Sequence, residues 1–310
     1  MILTVTPNPA IDLTYTVPAL VLGDSQRVDG ARSRAGGKGV NVARVAHQLG
    51  HSVLVVAPVG GHGGLEFTRE LEASGLPHFL VPVSADTRRS VALVETDSGR
   101  TSVLNERGHP LRDTDWATLT TSVRDRMGEA TCLVGSGSLP PDADDGFYAG
   151  LVGIGRTAGV PVLIDTTGAA LRAAARAGAD VLKPNRSELA DATGLSSPID
   201  GASWLLDAGA RLVLVSLGED GMLAMSATER DPLFARLPAP LAGNPTGAGD
   251  AAVAAAAVCY SSGSTDRAVL LRMATAWSAA AVRSPVAGEV VGDLADLEAT
   301  VLLRTSNGTR

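Results

Sequence analysis

The rhythm of apolar residues changes several times along the 310-residue chain. Ile2 to Thr6 and Ser52 to Ala57 are short, nearly continuous apolar runs, the pattern of strands buried on both faces. Val42, Val45, Ala46 and Leu49 keep helical spacing, and Gly50 closes that helix. Leu65 to Ser74 predicts a second helix and Phe79 to Val83 another strand. From about Leu111, helix alternates with buried strand. The strands are Cys132 to Gly135, Val160 to Asp165, Asp180 to Lys183 and Leu212 to Leu217, and the helices lie near Trp116 to Met127, Phe147 to Ala158 and Ala169 to Arg176. Such alternation predicts an α/β fold: a doubly wound, mainly parallel sheet with helices on both faces.

Three stretches break this rhythm. Leu13 to Val17, Gln26 to Ser33, and the hairpin of Ser90 to Glu95 with Arg100 to Asn105 alternate apolar with polar residues, as strands covered on one face do. They predict a small separate β-sheet lid. The expected division is a core of residues 1–11, 34–86 and 108–310 and a lid of residues 12–33 and 87–107. No fixed-period repeat or low-complexity linker interrupts it.

Composition narrows the class. Aromatics are only 3% and glycines number 35, which suits a loop-rich α/β enzyme packed with Val, Ala and Leu. A net charge of -7 argues against broad contact with nucleic acid or an anionic membrane, so any phosphate site must be locally basic. The two cysteines, Cys132 and Cys259, sit in apolar segments and are expected to be reduced, which fits a cytoplasmic protein. The N-terminus lacks a basic region ahead of an apolar core, so no signal peptide is expected, and no apolar segment is long enough to span a bilayer. The five histidines show no metal spacing.

The chemistry concentrates where strands end and helices begin. Gly247-Ala248-Gly249-Asp250 precedes an alanine-rich helix. Free backbone N–H groups and the positive end of the helix dipole attract a phosphate or a developing anion there. Asp250 enters the first turn, where the dipole should keep it ionised; it is either a base for a hydroxyl or a plain helix cap. Gly36-Gly37-Lys38-Gly39 is not a Walker A loop, yet Gly37 permits close backbone approach and Lys38 offers a point charge to a phosphate. Asn41, one turn on, offers a donor and an acceptor to a hydroxyl; the plain alternative is a glycine-rich helix entry with an exposed Lys.

Other positions carry paired readings. Asp12, in a Pro-flanked turn, either pairs with two sugar hydroxyls or only forms the turn. Arg88, with Arg27 on another lid strand, can grip a second phosphate or lie idle on the surface. Asn185 and Glu188 have the spacing of a capping box, and equally suit nucleotide phosphates and a Mg²⁺-bound water. The ends Gly135-Ser136-Gly137-Ser138, Lys183-Pro184-Asn185 and Ser216-Leu217-Gly218 are where ligands of parallel sheets collect. Gly60 to Gly64 superficially matches a dinucleotide loop, without the acidic residue that such a loop needs.

The order of Thr6-Pro7-Asn8-Pro9-Ala10-Ile11-Asp12, Gly36 to Arg44, Pro184 to Glu188, Val215 to Gly218 and Gly247 to Asp250 resembles the ribokinase-like (PfkB) carbohydrate kinases over nearly the whole chain. Within them it is most similar to the 1-phosphofructokinase and tagatose-6-phosphate kinase branch, through its opening motif, Lys38, Thr87-Arg88 and Asn105-Glu106. The resemblance implies ATP-dependent phosphorylation of a ketohexose phosphate, with fructose 1-phosphate favoured and fructose 6-phosphate and tagatose 6-phosphate as alternatives, and a homodimer through the lid. It implies Asp250 as base and Gly247, Ala248 and Gly249 as an anion hole. By position, Asp12, Gly37, Lys38, Asn41, Arg88 and Ser138, and more weakly Arg27, face the sugar phosphate. Lys183, Asn185, Glu188, Ser216, Gly218 and Gly249 face ATP, with Glu188 reaching Mg²⁺ through water. Asn244-Pro245-Thr246 departs from the commoner residues ahead of this glycine motif. Three rival readings are a kinase of an unphosphorylated sugar or nucleoside, a sugar-phosphate sensor without chemistry, and a dinucleotide oxidoreductase.

Overall fold

The computed structural model describes residues 1–239, 241, 243–305 and 308–309. The chain opens with β1 (Ile2–Val5), β2 (Ala10–Val17), β3 (Arg32–Gly36), α1 (Lys38–Gln48), β4 (Val53–Val59), α2 (Gly61–Ser74) and β5 (His78–Pro82). The hairpin of β6 (Arg88–Glu95) and β7 (Thr101–Asn105) follows, then α3 (Asp113–Arg124), β8 (Cys132–Ser136), α4 (Phe147–Ala158), β9 (Val162–Asp165) and α5 (Gly168–Ala177). Next come β10 (Val181–Leu182), α6 (Arg186–Thr193), α7 (Pro198–Ala208), β11 (Leu212–Ser216), β12 (Met222–Ser226) and β13 (Leu233–Arg236). The chain ends with α8 (Ala248–Ser261), α9 (Arg267–Val282), α10 (Leu294–Thr300), β14 (Leu302–Thr305) and β15 (Gly308–Thr309).

The large sheet runs β15-β14-β13-β12-β11-β10-β9-β8-β1-β4-β5. It is parallel from β11 to β5 and antiparallel from β11 outward to β15. Alternate residues of the buried strands feed opposite layers, as the period of a strand requires. Ile2, Val55, Cys132 and Val134 face the layer holding α1, α2, α8 and α9, while Leu3, Val56 and Leu133 face the layer holding α3 to α7. Helix α8 is buried from Asp250 to Cys259, and its alanines let neighbouring helices approach closely. A left-handed glycine ends each of α2, α4, α5 and α6. No helix among the described residues is long and apolar enough to cross a membrane.

The second sheet has four strands in the order β3-β2-β6-β7. Most residues of β2 and β6 are half-buried and most of β7 are exposed, in keeping with the half-polar patterning. Two expectations need correction, and one feature lies beyond them. Gln26 to Ala31 form no strand: residues 18–30 are exposed irregular chain, and β3 begins only at Arg32. Polar residues there have no sheet neighbour to bury against. Asp12 lies within β2, in register with Arg34 and Ser90, rather than in a turn. The antiparallel flank of β12 to β15 was not predicted, because its short apolar runs look the same in either direction.

Candidate active site

The chain leaves β1 for β4 on one side and later returns to β8 on the other, so the strand order reverses beside β1. Open sheets bind ligands beyond the strand ends at such a reversal. A cavity of about 1220 Å³ lies there, walled by the strand ends, the start of α8 and the small sheet. Asn8, Asp12, Lys38, Arg88, Asp165, Glu188 and Asp250 all line it.

Gly247 caps α8 with φ 88°, a left-handed conformation that a side chain strains. A Cβ at Gly247 would also meet the Ala287 Cα at 2.9 Å. The turn is therefore glycine for two separate reasons. Asp250, only 6% exposed, sits in the first turn of α8, and its Oδ2 accepts from Asn41 Nδ2 at 2.8 Å. Burial raises its pKa to about 7, with Lys38 opposing and Asp165 assisting. This corrects the expectation that the helix dipole keeps Asp250 ionised near neutrality: desolvation of a fully enclosed carboxylate outweighs the dipole.

The chain has only two lysines, and both reach Asp165. Lys38 Nζ lies 3.4 Å from Asp165 Oδ1 and 3.3 Å from Glu188 Oε1, and Lys183 Nζ lies 3.7 Å from the same Asp165 oxygen. Burial works against charge on Lys38, but Asp165, Glu188 and Asp250 together raise its pKa above the ordinary range. Asp165, fully buried at the end of β9, also accepts from Ser136 Oγ at 3.2 Å. It was not singled out from the sequence, although its place at the carboxyl end of a parallel strand was a usable signal.

Asn185 and Glu188 form the capping box: Glu188 N–H donates to Asn185 Oδ1 at 2.9 Å and Asn185 N–H to Glu188 Oε2 at 2.8 Å. Glu188 Oε1 is left for Lys38 and the cavity, so cap and site use different oxygens of one carboxylate. Ser216 Oγ is buried without a hydrogen-bond partner, and Ser216 and Gly218 line the cavity beside Asn185. Gly249 lies over Lys183, with a Cβ there only 3.2 Å from Nζ.

At the small-sheet end, Arg88 Nε and Nη2 each donate to Asn8 O at 3.2 Å, and Nη1 donates to Glu106 O at 3.1 Å. Burial lowers the Arg88 pKa, against Asp12 and Glu106. Burial also raises Asp12 to about 6, opposed by Arg88, Arg44 and Arg34. Asn8 Nδ2 donates to Ser138 Oγ at 3.3 Å and to Arg107 O at 3.1 Å, joining the chain after β1 to the chains after β8 and β7. Gly37, at φ 108°, caps α1 against Thr6 and Pro9. Asn8 and Arg107 line the cavity and were not singled out from the sequence; the Pro-flanked Asn8 was a legible clue. Arg27 lies on the exposed 18–30 stretch and does not line the cavity. The Gly60 to Gly64 turn also lies outside it, with Gly60, Gly61 and Gly63 close against residues 83–87.

The donors fit a nucleotide and its cation. Asp165 and Glu188 offer carboxylate oxygens to a hard cation, yet no group of three or more acidic, His or Cys ligands exists among the described residues. Mg²⁺ is often held this way, by one or two carboxylates and the substrate's phosphates.

A doubly wound sheet with a small β-sheet over its reversal point is the ribokinase-like architecture. Residues 6–291 match the sequence profile described as pfkB family carbohydrate kinase, and the chain belongs to that family. Among solved structures it is similar to phosphofructokinase-2 from Escherichia coli in complex with fructose-6-phosphate, at 26% identity and TM-score 0.83, covering 96% of this chain and 98% of that one. A possible 1-phosphofructokinase from Thermotoga maritima superposes with TM-score 0.89 at 21% identity, covering 98% and 99% of the two chains. Ribokinase from Arabidopsis thaliana, complexed with ribose and ATP, gives TM-score 0.71 at 23% identity, covering 95% and 96%.

Proposed function

We propose that the protein transfers the γ-phosphoryl group of ATP to a primary hydroxyl of a ketohexose phosphate, with fructose 1-phosphate as acceptor and fructose 1,6-bisphosphate as product. The observation that carries this reading is one cavity holding a buried carboxylate tuned to about 7, a glycine turn and cationic groups at both ends. A base with that pKa is poised to take a proton at neutral pH. The acceptor hydroxyl loses its proton to Asp250 as its oxygen bonds the γ-phosphorus and the bond to ADP breaks. Asn41 orients the carboxylate through their 2.8 Å hydrogen bond.

The remaining work is placement and charge neutralisation, since phosphoryl transfer asks little covalent help of the protein. The N–H groups of Gly247 and Gly249 face the travelling group, while that of Ala248 donates to the Pro245 carbonyl at 3.2 Å and braces the turn. Lys38 and Lys183, held by Asp165, add positive charge beside it. Asn185, Glu188, Ser216 and Gly218 belong to the nucleotide end, and apolar Leu237, Leu241, Ala279 and Val282 suit a base. Glu188 would hold Mg²⁺ through water, and the ion would supply charge neutralisation on the phosphates. At the sugar end, Asp12 pairs with hydroxyls, while Arg88 and Arg107, with Asn8, Gly37 and Ser138, hold the phosphate already on the sugar.

The small sheet acts as a lid that excludes water, which would otherwise hydrolyse ATP. Exposed Leu20, Val21, Leu22 and Leu104 give the lid region apolar surface for a homodimer in a reducing cytoplasm. ADP release measured with fructose 1-phosphate, fructose 6-phosphate, tagatose 6-phosphate, free fructose, ribose and adenosine tests the function. Fastest turnover is expected with fructose 1-phosphate. The relative bound to fructose-6-phosphate makes that sugar the chief competitor, and preference for it would move the second phosphate to the other end of the ketose. Turnover of free sugars or adenosine alone would overturn the phosphosugar reading, and no ADP release with any of them would overturn the kinase.

A further inference from the structure

The chain between α9 and α10 passes directly beside the glycine turn. Ala287 lines the cavity, and a Cβ on Gly247 would meet the Ala287 Cα at 2.9 Å and the Gly288 N at 3.2 Å. Gly288, at φ 78°, lies equally close to α1, where a Cβ would meet Asn41 Oδ1 at 2.9 Å and Arg44 Cδ at 3.1 Å. The pair of bonds between Gln48 and Val290, at 2.7 and 3.1 Å, pins the far end of this segment to α1. Residues 287–288 thus form a wedge between the anion-binding turn and the helix that bears Lys38 and Asn41.

One side chain of the small sheet reaches this wedge. Arg34, on edge strand β3, donates from Nη1 to Ala287 O at 3.1 Å, and the same nitrogen lies 2.9 Å from Glu289 Oε1. The next residue, Ala35, is itself braced: its carbonyl accepts from Arg44 Nη2 at 3.0 Å and its N–H donates to Glu70 Oε2 at 3.2 Å. Arg34 does not line the cavity, so it has no place among the groups that touch substrate.

We infer that Arg34 is a positioning residue that couples the seating of the small sheet to the placement of the Gly247 to Gly249 amides, through the carbonyl of Ala287. The inference rests on the phosphotransfer reading of that turn. When the sheet is seated, Arg34 holds Ala287 against Gly247, and the amides take the arrangement that stabilises the travelling group. When the sheet lifts, the wedge is released. A partly exposed ion pair adds little to global stability, so the effect should appear in turnover rather than in melting.

The test uses the full-length protein. Arg34→Met, similar in length but uncharged, is expected to lower kcat about tenfold, because small misplacements of transition-state donors are costly. The KM values for ATP and sugar phosphate should change by less than about twofold, as neither ligand touches Arg34. Amide hydrogen exchange should quicken in residues 243–250 and not in β9 to β11. Arg34→Lys, which returns a cation near the same two oxygens, is expected to recover much of kcat. Glu289→Gln, which leaves the small sheet untouched, is expected to give part of the kcat loss and keeps the test open if Arg34→Met does not fold. Unchanged kcat and exchange would overturn the inference, as would a loss confined to KM. A kcat loss that Arg34→Lys does not recover, with faster exchange throughout the sheet, would also overturn it by showing a purely structural role. If the unmodified protein transfers no phosphoryl group, the functional reading fails, while the exchange measurement still decides whether Arg34 orders the turn.

Discussion

The two ends of the cavity are built differently. At the floor, Asp165, Lys38, Lys183 and Glu188 hold one another through a chain of ion pairs, Asp250 is held by Asn41, and Asp250, Asp165 and Lys183 are buried. At the rim, Arg88 spends its donors on the backbone carbonyls of Asn8 and Glu106, and Arg107 is exposed. A floor fixed by mutual charge and burial favours one reaction. A rim built from strands and loops can be rearranged to accept a different ligand without disturbing that reaction. Floor substitutions should therefore strike kcat, and rim substitutions should strike KM.

Asp250→Asn should have the largest effect, cutting kcat about a thousandfold or more while leaving ATP affinity nearly unchanged in titration. The same variant should melt at a higher temperature at pH 8. The sign follows from linkage: the folded-state pKa is raised from 3.8 to about 7, so the unfolded chain gives up this proton more readily. Stability from this group is present below pH 4 and lost as pH rises toward 7; Asn carries no such cost. An unchanged melting temperature would show that Asp250 is better solvated than its burial implies.

Gly247→Ala should come next, with kcat reduced about a hundredfold, since it strains a left-handed residue and pushes the turn from Ala287. Equal losses in kcat and ATP affinity would blur the distinction between floor and rim. Arg88→Ala should raise KM for a phosphorylated sugar about tenfold or more and leave that for an unphosphorylated one little changed. Equal effects on both would remove the second-phosphate pocket. The smallest effect should come from protonating Asp12, whose pKa is raised to about 6. KM for the sugar should rise as pH falls through 6, by a few-fold per unit at most, and Asp12→Asn should abolish this trend.

The parts legible in the sequence were those decided by local chemistry. Helix α4 occupies Phe147–Ala158 as the spacing predicts, because an apolar stripe and a closing glycine are both local signals. The capping box at Asn185 and Glu188 was visible for the same reason. Asp165 was not, because its importance comes from two lysines that arrive from positions 38 and 183. The raised pKa of Asp250 is not legible there, because the dipole is written in the sequence of one helix, whereas desolvation depends on everything packed around it. Residues 26–31 have strand-like alternation but no neighbouring strand, and alternation alone does not make a sheet.

The account depends most on Asp250 acting as the base in its buried, shifted state. The direct measurement is the pH profile of kcat/KM for fructose 1-phosphate between pH 5 and 9, in the parent protein and in Asp250→Asn. The parent should fall about tenfold per unit below a midpoint near 7, and the variant should lose that limb and keep only the weaker one near 6. A parent profile that is flat through pH 7, or a variant that retains the same limb, would contradict it.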